Sequence, residues 1–320
     1  MDMPDLQRTR REARGMWLGL LGVTLFAMTL PMTRLAVGPA ADPQLPPLFV
    51  AAGRAALAGV LSAACLWLTR APRPRREQLR LFAVSAAGTV IGFPLFLGLA
   101  LRHVDAMHAA VVTGVLPLGT ALAAAVSLRQ RPSAGFWCCS VVGCALVLGF
   151  AALQGSGSLS AADGLLLLAV ASASIAYVAG ARLAAQMSAE QTICWVLVLS
   201  LPVSAPLMWF SWPEGWHAVR PSAWLGFGYV TLFSMWIGFF AWYRGLALGG
   251  TMRVSQVQLV QPFLALLFVV PVLGERLELR TLLFSVAVIA TVFIGKGMST
   301  SVPTGASRPV TVLPSSVNTP

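Results

Sequence analysis

The chain has 320 residues, of which 57% are hydrophobic and only 10% are charged, whereas a soluble globular domain carries about 25% charged residues. That composition excludes an ordinary soluble domain and marks a polytopic membrane protein, for which length does not count domains. The net charge of +11 does not point to nucleic acid, because the bases sit in short loops between apolar runs and no basic groove with interleaved aromatics occurs.

The chain opens with Arg8, Arg10, Arg11 and Arg14 ahead of an apolar run. This resembles a signal peptide, but it lacks a small-residue cleavage site and further apolar runs follow at once, so an uncleaved first helix is expected. Crossing the hydrocarbon core takes about 20 mostly apolar residues. By that rule the sequence predicts ten helices, at 16–36, 47–69, 79–101, 107–128, 134–153, 162–184, 191–212, 222–247, 253–273 and 279–298. Turn chemistry separates them: Gly38-Pro39, Pro46-Pro47, the Arg70 to Arg76 segment with two prolines, Gly155 to Ser158, Trp212-Pro213 and Gly249-Gly250. The expected division is a basic cytoplasmic N-terminus at 1–15, a five-helix unit at 16–153, a second at 162–298, and a disordered cytoplasmic tail at 299–320, rich in Ser, Thr, Pro and Val.

Lys and Arg counts orient the chain. With the N-terminus inside and strict alternation, sixteen bases fall in the cytoplasm and five outside, with Arg54 inside a span. That bias supports the ten-helix count with both termini cytoplasmic in the plasma (inner) membrane.

The second half repeats the first. Arg34-Leu35-Ala36 returns as Arg182-Leu183-Ala184 at a spacing of 148, Gly98-Leu99-Ala100-Leu101 as Gly245-Leu246-Ala247-Leu248 at 147, and Pro117 as Pro262 at 145. The segment ending at Arg131 likewise returns as the one ending at Arg276. Each unit holds five helices, and five is odd, so the halves enter the membrane in opposite senses. The expected fold class is therefore an all-α membrane protein of ten transmembrane helices in two inverted five-helix repeats, an arrangement that places a substrate site near the bilayer midplane between the halves.

Three segments carry a family likeness: Pro31-Met32-Thr33-Arg34-Leu35-Ala36 closing the first helix, Pro47 followed by apolar residues and Arg54 opening the second, and Leu273-Gly274-Glu275-Arg276 closing the ninth. In these the chain resembles the drug/metabolite transporter superfamily, in its ten-helix EamA-type branch. The first-half copy of the last motif departs from it, with Gln130 where an acid would stand. The resemblance implies a secondary transporter of small organic metabolites (amino-acid or drug-like solutes), working by alternating access and often outward; the alternatives are an uptake or exchange carrier and a membrane-embedded non-transport protein. The expected partners are a small-molecule substrate and the lipid bilayer, with a homodimer left open.

Polar groups inside a membrane need a reason. Arg54 lies seven residues into the second helix, about 10 Å below its outer end. It is read either as a cavity charge for an anionic or zwitterionic substrate or as a snorkelling cap on neighbouring carbonyls. In the ninth helix Ser255, Gln258 and Gln261 recur at intervals of three and share a face beside Pro262. Amides there suit polar or zwitterionic solutes; interhelical hydrogen bonding is the alternative. Trp236, Phe240 and Tyr243 follow helical spacing and suggest an aromatic wall, with Tyr177 and Met28 as weaker additions. Pro117 and Pro262 are the expected hinges. His108 is read as the loop partner of Asp105, one turn away, or else as a titrating residue at the mouth, and Glu275 as a cap on the tenth helix.

The expected absences are equally specific. No acid lies mid-span, so the carboxylate relay common in proton-coupled carriers is missing. HExxH, GxSxG and P-loop motifs are absent, so neither an enzyme nor a cofactor is expected. Cys65, Cys138, Cys139, Cys144 and Cys194 all lie in apolar runs without ligand spacing, as small buried hydrophobes do.

Overall fold

Hydrophobic runs long enough to satisfy their own backbone become helices in lipid, and a computed structural model shows them in that form. It describes residues 3–127, 133–154, 160–249, 254 and 257–298. Seven helices are long and apolar enough to cross a membrane, and three shorter apolar helices bring the number to ten; no strand occurs among the described residues. We label them α1 (Arg10–Val37), α2 (Pro47–Leu68), α3 (Arg76–Ala100), α4 (Ala106–Ser127), α5 (Ala134–Gln154), α6 (Ala161–Ala184), α7 (Ala189–Phe210), α8 (Pro221–Gly245), α9 (Gln258–Leu273) and α10 (Leu279–Met298). The helix feeding α1 already begins at Met3, inside the segment expected to be a basic tail. The tail at 299–320 and Gln130 lie outside the described residues.

The helix ends follow from local chemistry. Gly38, at a φ of 66°, ends α1, and Pro47 starts α2 in the first turn, where a missing N–H costs nothing. A reciprocal capping box starts α6: Ser160 Oγ accepts from the Asp163 N–H at 3.3 Å, and Asp163 Oδ2 accepts from the Ser160 N–H at 2.8 Å. Gly274, at a φ of 69°, ends α9 in the left-handed conformation.

The packing expresses the inverted repeat. α2 lies on α7, α5 on α10, α1 on α8 and α3 on α6, while α4 meets α6 and α9 meets α1. Exchanging the two halves maps this set of pairs onto itself. The two matched crossings rely on glycine: a side chain at Gly88 of α3 would run into the Ser172 carbonyl of α6, and one at Gly245 of α8 would lie 2.6 Å from the Gly19 nitrogen of α1.

The irregularities repeat as well. α3 carries a π-helical segment at Ala86–Gly92, and α8 carries one at Val230–Ile237. α4 breaks at Gly114 and Val115 before its second segment, Leu116–Ser127. α9 opens as a tight 3₁₀ turn, Gln258–Val260, before Gln261–Leu273. Pro117 and Pro262 each occupy the second position of the segment that follows the break, where they fit a helix start. The Gln258 carbonyl, deprived of a partner by Pro262, accepts the Gln261 N–H inside the tight turn.

The end of the bundle bearing the N-terminus is called the near face and the opposite end the far face. One buried cluster, with Leu45, Phe49, Leu97, Val111, Phe150 and Phe227, fills the far half. A smaller one, with Phe82, Leu183, Ile193, Leu197 and Phe239, fills the near half. Large apolar side chains stay exposed on the outside, including Trp17 and Trp67 toward the near face and Trp209, Phe210 and Trp216 toward the far face. This is the pattern of a lipid-facing surface with an aromatic belt at each interface.

Candidate functional site

The irregular segments of both halves converge on one internal cavity. Its walls come from α1, α2, α3, α4, α6, α8 and α9, so both repeats build it. The volume open to the centres of water-sized spheres is about 80 Å³; by that measure one water needs roughly 10–15 Å³. There is room for several waters or a small solute.

Arg54 lines this cavity and is only 4% exposed. It caps no neighbouring helix by any hydrogen bond among the described residues. Instead its Nη2 donates to Ser234 Oγ of α8 at 3.0 Å, and Ser234 in turn shares a hydrogen bond with Thr29 Oγ1 of α1 at 2.8 Å. The Arg54 Nε–H is buried without a partner. Both hydroxyl residues follow from the local backbone: Thr29 opens the second segment of α1, just after the interruption at Met28, and Ser234 lies within the π segment of α8.

The other expected site residues divide. Gln258 and Gln261 face the cavity together, with Pro262 beside them, and Pro117 and Tyr177 line it from α4 and α6. Ser255 lies outside the described residues. Trp236, Tyr243 and Met28 are not in the wall. Trp236 packs edge-on against Phe240 at 5.0 Å, and Tyr243 sits against Phe239 with ring centroids 5.6 Å apart. The physical reason for Trp236 is the π segment: its wider turns shift the register of α8, so Ser234, Met235 and Phe239 face inward instead. A regular 3.6-residue period does not anticipate that shift.

Sequence reasoning missed Thr29, Thr89, Ser234, Phe93 and Phe239. A signal for the two phenylalanines was present. Ile91-Gly92-Phe93 returns as Ile237-Gly238-Phe239 at a spacing of 146. Each copy stands where a π segment gives way to regular helix, and both phenylalanines line the cavity.

Toward the far face, polar contacts knit the loops. Arg34 donates to the Leu101 carbonyl and lies 3.7 Å from Asp105. The Glu275 carboxylate accepts the Ala106 and Met107 N–H groups, each at 2.9 Å. It therefore caps α4 across the two halves, not α10 as its position in the chain suggested, because the fold brings the 274–278 turn over the start of α4. Burial holds the Glu275 carboxyl above its ordinary range, with the two N–H bonds pulling the other way. Burial likewise lowers the Arg102 guanidinium, whose Nη2 donates to the Leu45 carbonyl at 3.1 Å. His108 does not pair with Asp105: its Nε2 donates to Asp163 Oδ1 of α6 at 2.6 Å, in buried surroundings, with Phe150 stacked on the ring. No cluster of metal-ligating side chains occurs among the described residues.

A family model described as the EamA-like transporter family matches the chain twice, over residues 13–151 and 160–295. The chain belongs to the EamA-like transporter family. The two matches fall on the two five-helix halves, so the EamA unit is the structural repeat. "Uncharacterized transporter YdeK" of Bacillus subtilis (strain 168) is 43% identical over 277 residues, covering 86% of this chain and 95% of that protein. A solved structure described as "Crystal structure of protein" aligns with a TM-score of 0.61 over 90% of this chain and 98% of that one, at 16% identity; that is a likeness of fold alone. This EamA protein is thus a multi-pass membrane transporter, with a cavity assembled by both of its repeats.

Proposed function

We propose that the protein is a secondary transporter that moves small organic metabolites outward across the bacterial inner membrane by alternating access, without chemical conversion of the solute. The near face and both termini are cytoplasmic in this reading, in line with the sixteen-to-five distribution of Lys and Arg. One observation carries the proposal: the cavity lies between the repeats and is walled by the interrupted segments of α3, α4, α8 and α9. Interrupted helices at an inverted-repeat interface are the places where one half tilts against the other around a fixed site. Gln258, Gln261, Tyr177 and Arg54 supply polar contacts to the solute, and Pro117 and Pro262 mark the hinges.

The test is an untargeted comparison of metabolites in cells and medium between strains lacking and overproducing the protein. Small organic solutes should move from cell to medium on overproduction, and Gln258→Leu should abolish that movement at unchanged protein level. Accumulation inside the overproducing cells would reverse the direction, and no redistribution of any solute would refute transport.

A further inference from the structure

We infer that the solute of this cavity is a small organic anion, a carboxylate with an apolar body, and that Arg54 takes up its charge. The inference rests on the transport reading above and narrows it.

The charge balance of the cavity is one-sided. Among the described lining residues Arg54 is the sole charged group, and there is no aspartate, glutamate, lysine or histidine. No described acid forms an ion pair with it. A guanidinium that is 4% exposed and has one neutral hydrogen-bond partner is far from satisfied: it offers five N–H donors in a planar fork that matches a carboxylate. Buried charges are retained where something pairs with them, and within a membrane they line solute paths.

The surrounding hydroxyls add to the excess of donors. If Ser234 accepts from Arg54 and donates to Thr29, the Thr29 hydrogen is left over; if Thr29 donates to Ser234, the Ser234 hydrogen is left over. Either way one hydroxyl hydrogen has no described acceptor. The Arg54–Ser234–Thr29 cluster therefore holds free donors, as an anion requires. A zwitterionic amino acid would bring an ammonium group that finds only the neutral oxygens of Gln258, Gln261 and Tyr177 and no carboxylate, so the one-sided charge favours the plain anion. Phe26, Phe93 and Phe239 supply the apolar wall for the rest of the solute, which inorganic anions do not need. An inside-negative membrane potential drives a monoanion outward, so export needs no carboxylate relay, in keeping with the acid-free lining.

The experiment measures binding to the purified full chain in lipid nanodiscs. The probes are monocarboxylates of increasing size, from butyrate through phenylacetate to indole-3-acetate. Each is set beside its primary amide and the corresponding amine, with inorganic phosphate as a further arm. The expected result is at least one carboxylate bound tenfold or more tighter than its amide and amine, with Arg54→Gln erasing the preference and Arg54→Lys restoring part of it. Should either variant fail to fold, the selectivity of the wild-type chain decides alone. The inference is overturned if no carboxylate outperforms its amide, if amines bind best, or if phosphate is the sole ligand. Exchange of the bound carboxylate in proteoliposomes separates this inference from the one beneath it. A carboxylate bound but never exchanged defeats transport and leaves the anion site standing; flux of a neutral or cationic solute alone defeats the anion site and leaves transport standing.

Discussion

The two ends of the bundle are joined across the repeats by different chemistry. At the far face the described cross-repeat contacts are the buried His108–Asp163 pair, the Glu275 carboxylate on two N–H groups of α4, and Arg220 on Asp42 at 2.7 Å with its N–H on Gln44. At the near face they include Gln78 Nε2 to Gln186 Oε1 at 2.9 Å, Trp195 Nε1 to the Pro72 carbonyl at 3.1 Å, and Arg182 to the Ser127 carbonyl at 2.9 Å, and Glu12 of α1 engages a partner as well. Hydrogen bonds to charged groups are worth about 1.5–3 kcal/mol and neutral ones about 0.5–1.5. The larger apolar cluster also sits at the far end. In the proposed alternating-access cycle, this difference makes opening the far face the costlier half. In that proposal a solute bound near Arg54 supplies part of the cost, which keeps the empty carrier shut to the far side.

Substitutions rank this comparison. The largest effect is expected from Asp163→Leu, which strands buried His108 and removes the capping box of α6. It should cost about 3–5 kcal/mol in thermal unfolding in detergent. Next, Glu275→Ala leaves two N–H groups of α4 without an acceptor and should cost about 1–3 kcal/mol, read as faster amide exchange at Ala106 and Met107; Glu275→Gln should fall between, since its amide keeps one acceptor oxygen. At the near face Gln186→Leu should cost about 1 kcal/mol. If it costs as much as Asp163→Leu, the contrast between the two ends is wrong. Arg220→Ala should cost under about 1 kcal/mol, because Arg220 and Asp42 are 65% and 42% exposed. The smallest effect is with pH. The Glu275 carboxyl is held above its ordinary range, so the folded chain keeps its proton longer than the unfolded chain does. That contribution to stability is full below about pH 4 and is lost as pH rises through the shifted value. Glu275→Gln should flatten this slope, and a slope of opposite sign would mean that the two N–H bonds outweigh burial.

Much of this was legible in the residues. Ten apolar runs, their odd number per half and the recurring Gly98–Leu101 and Pro117 motifs fix the inverted repeat, because span length and helix closure in lipid leave little choice. Arg54, Gln258 and Gln261 stood out for the same reason, as polar groups where none is cheap. The π segments did not stand out. A run such as Val230–Ile237 reads as ordinary apolar helix, and its wider turns come from tertiary packing, so the inward register of Ser234 and Phe239 was hidden while Trp236 looked better placed. The partners of His108 and Glu275 were hidden too, since Asp163 lies 55 residues from the one and Ala106 lies 169 from the other. Long-range pairing of that kind depends on helix placement that no local pattern records.

In the proposed cycle the far face must open for the cavity to release its solute. Asp42→Cys with Arg220→Cys, in a chain whose five native cysteines are replaced, allows the far face to be locked across the repeats by a reducible bifunctional thiol reagent. In proteoliposomes loaded with a solute identified in the metabolite comparison, cross-linking should bring exchange down to the level of protein-free vesicles, and reduction should restore it. Exchange at the unlinked rate while the cross-link is intact would contradict alternating access through this cavity.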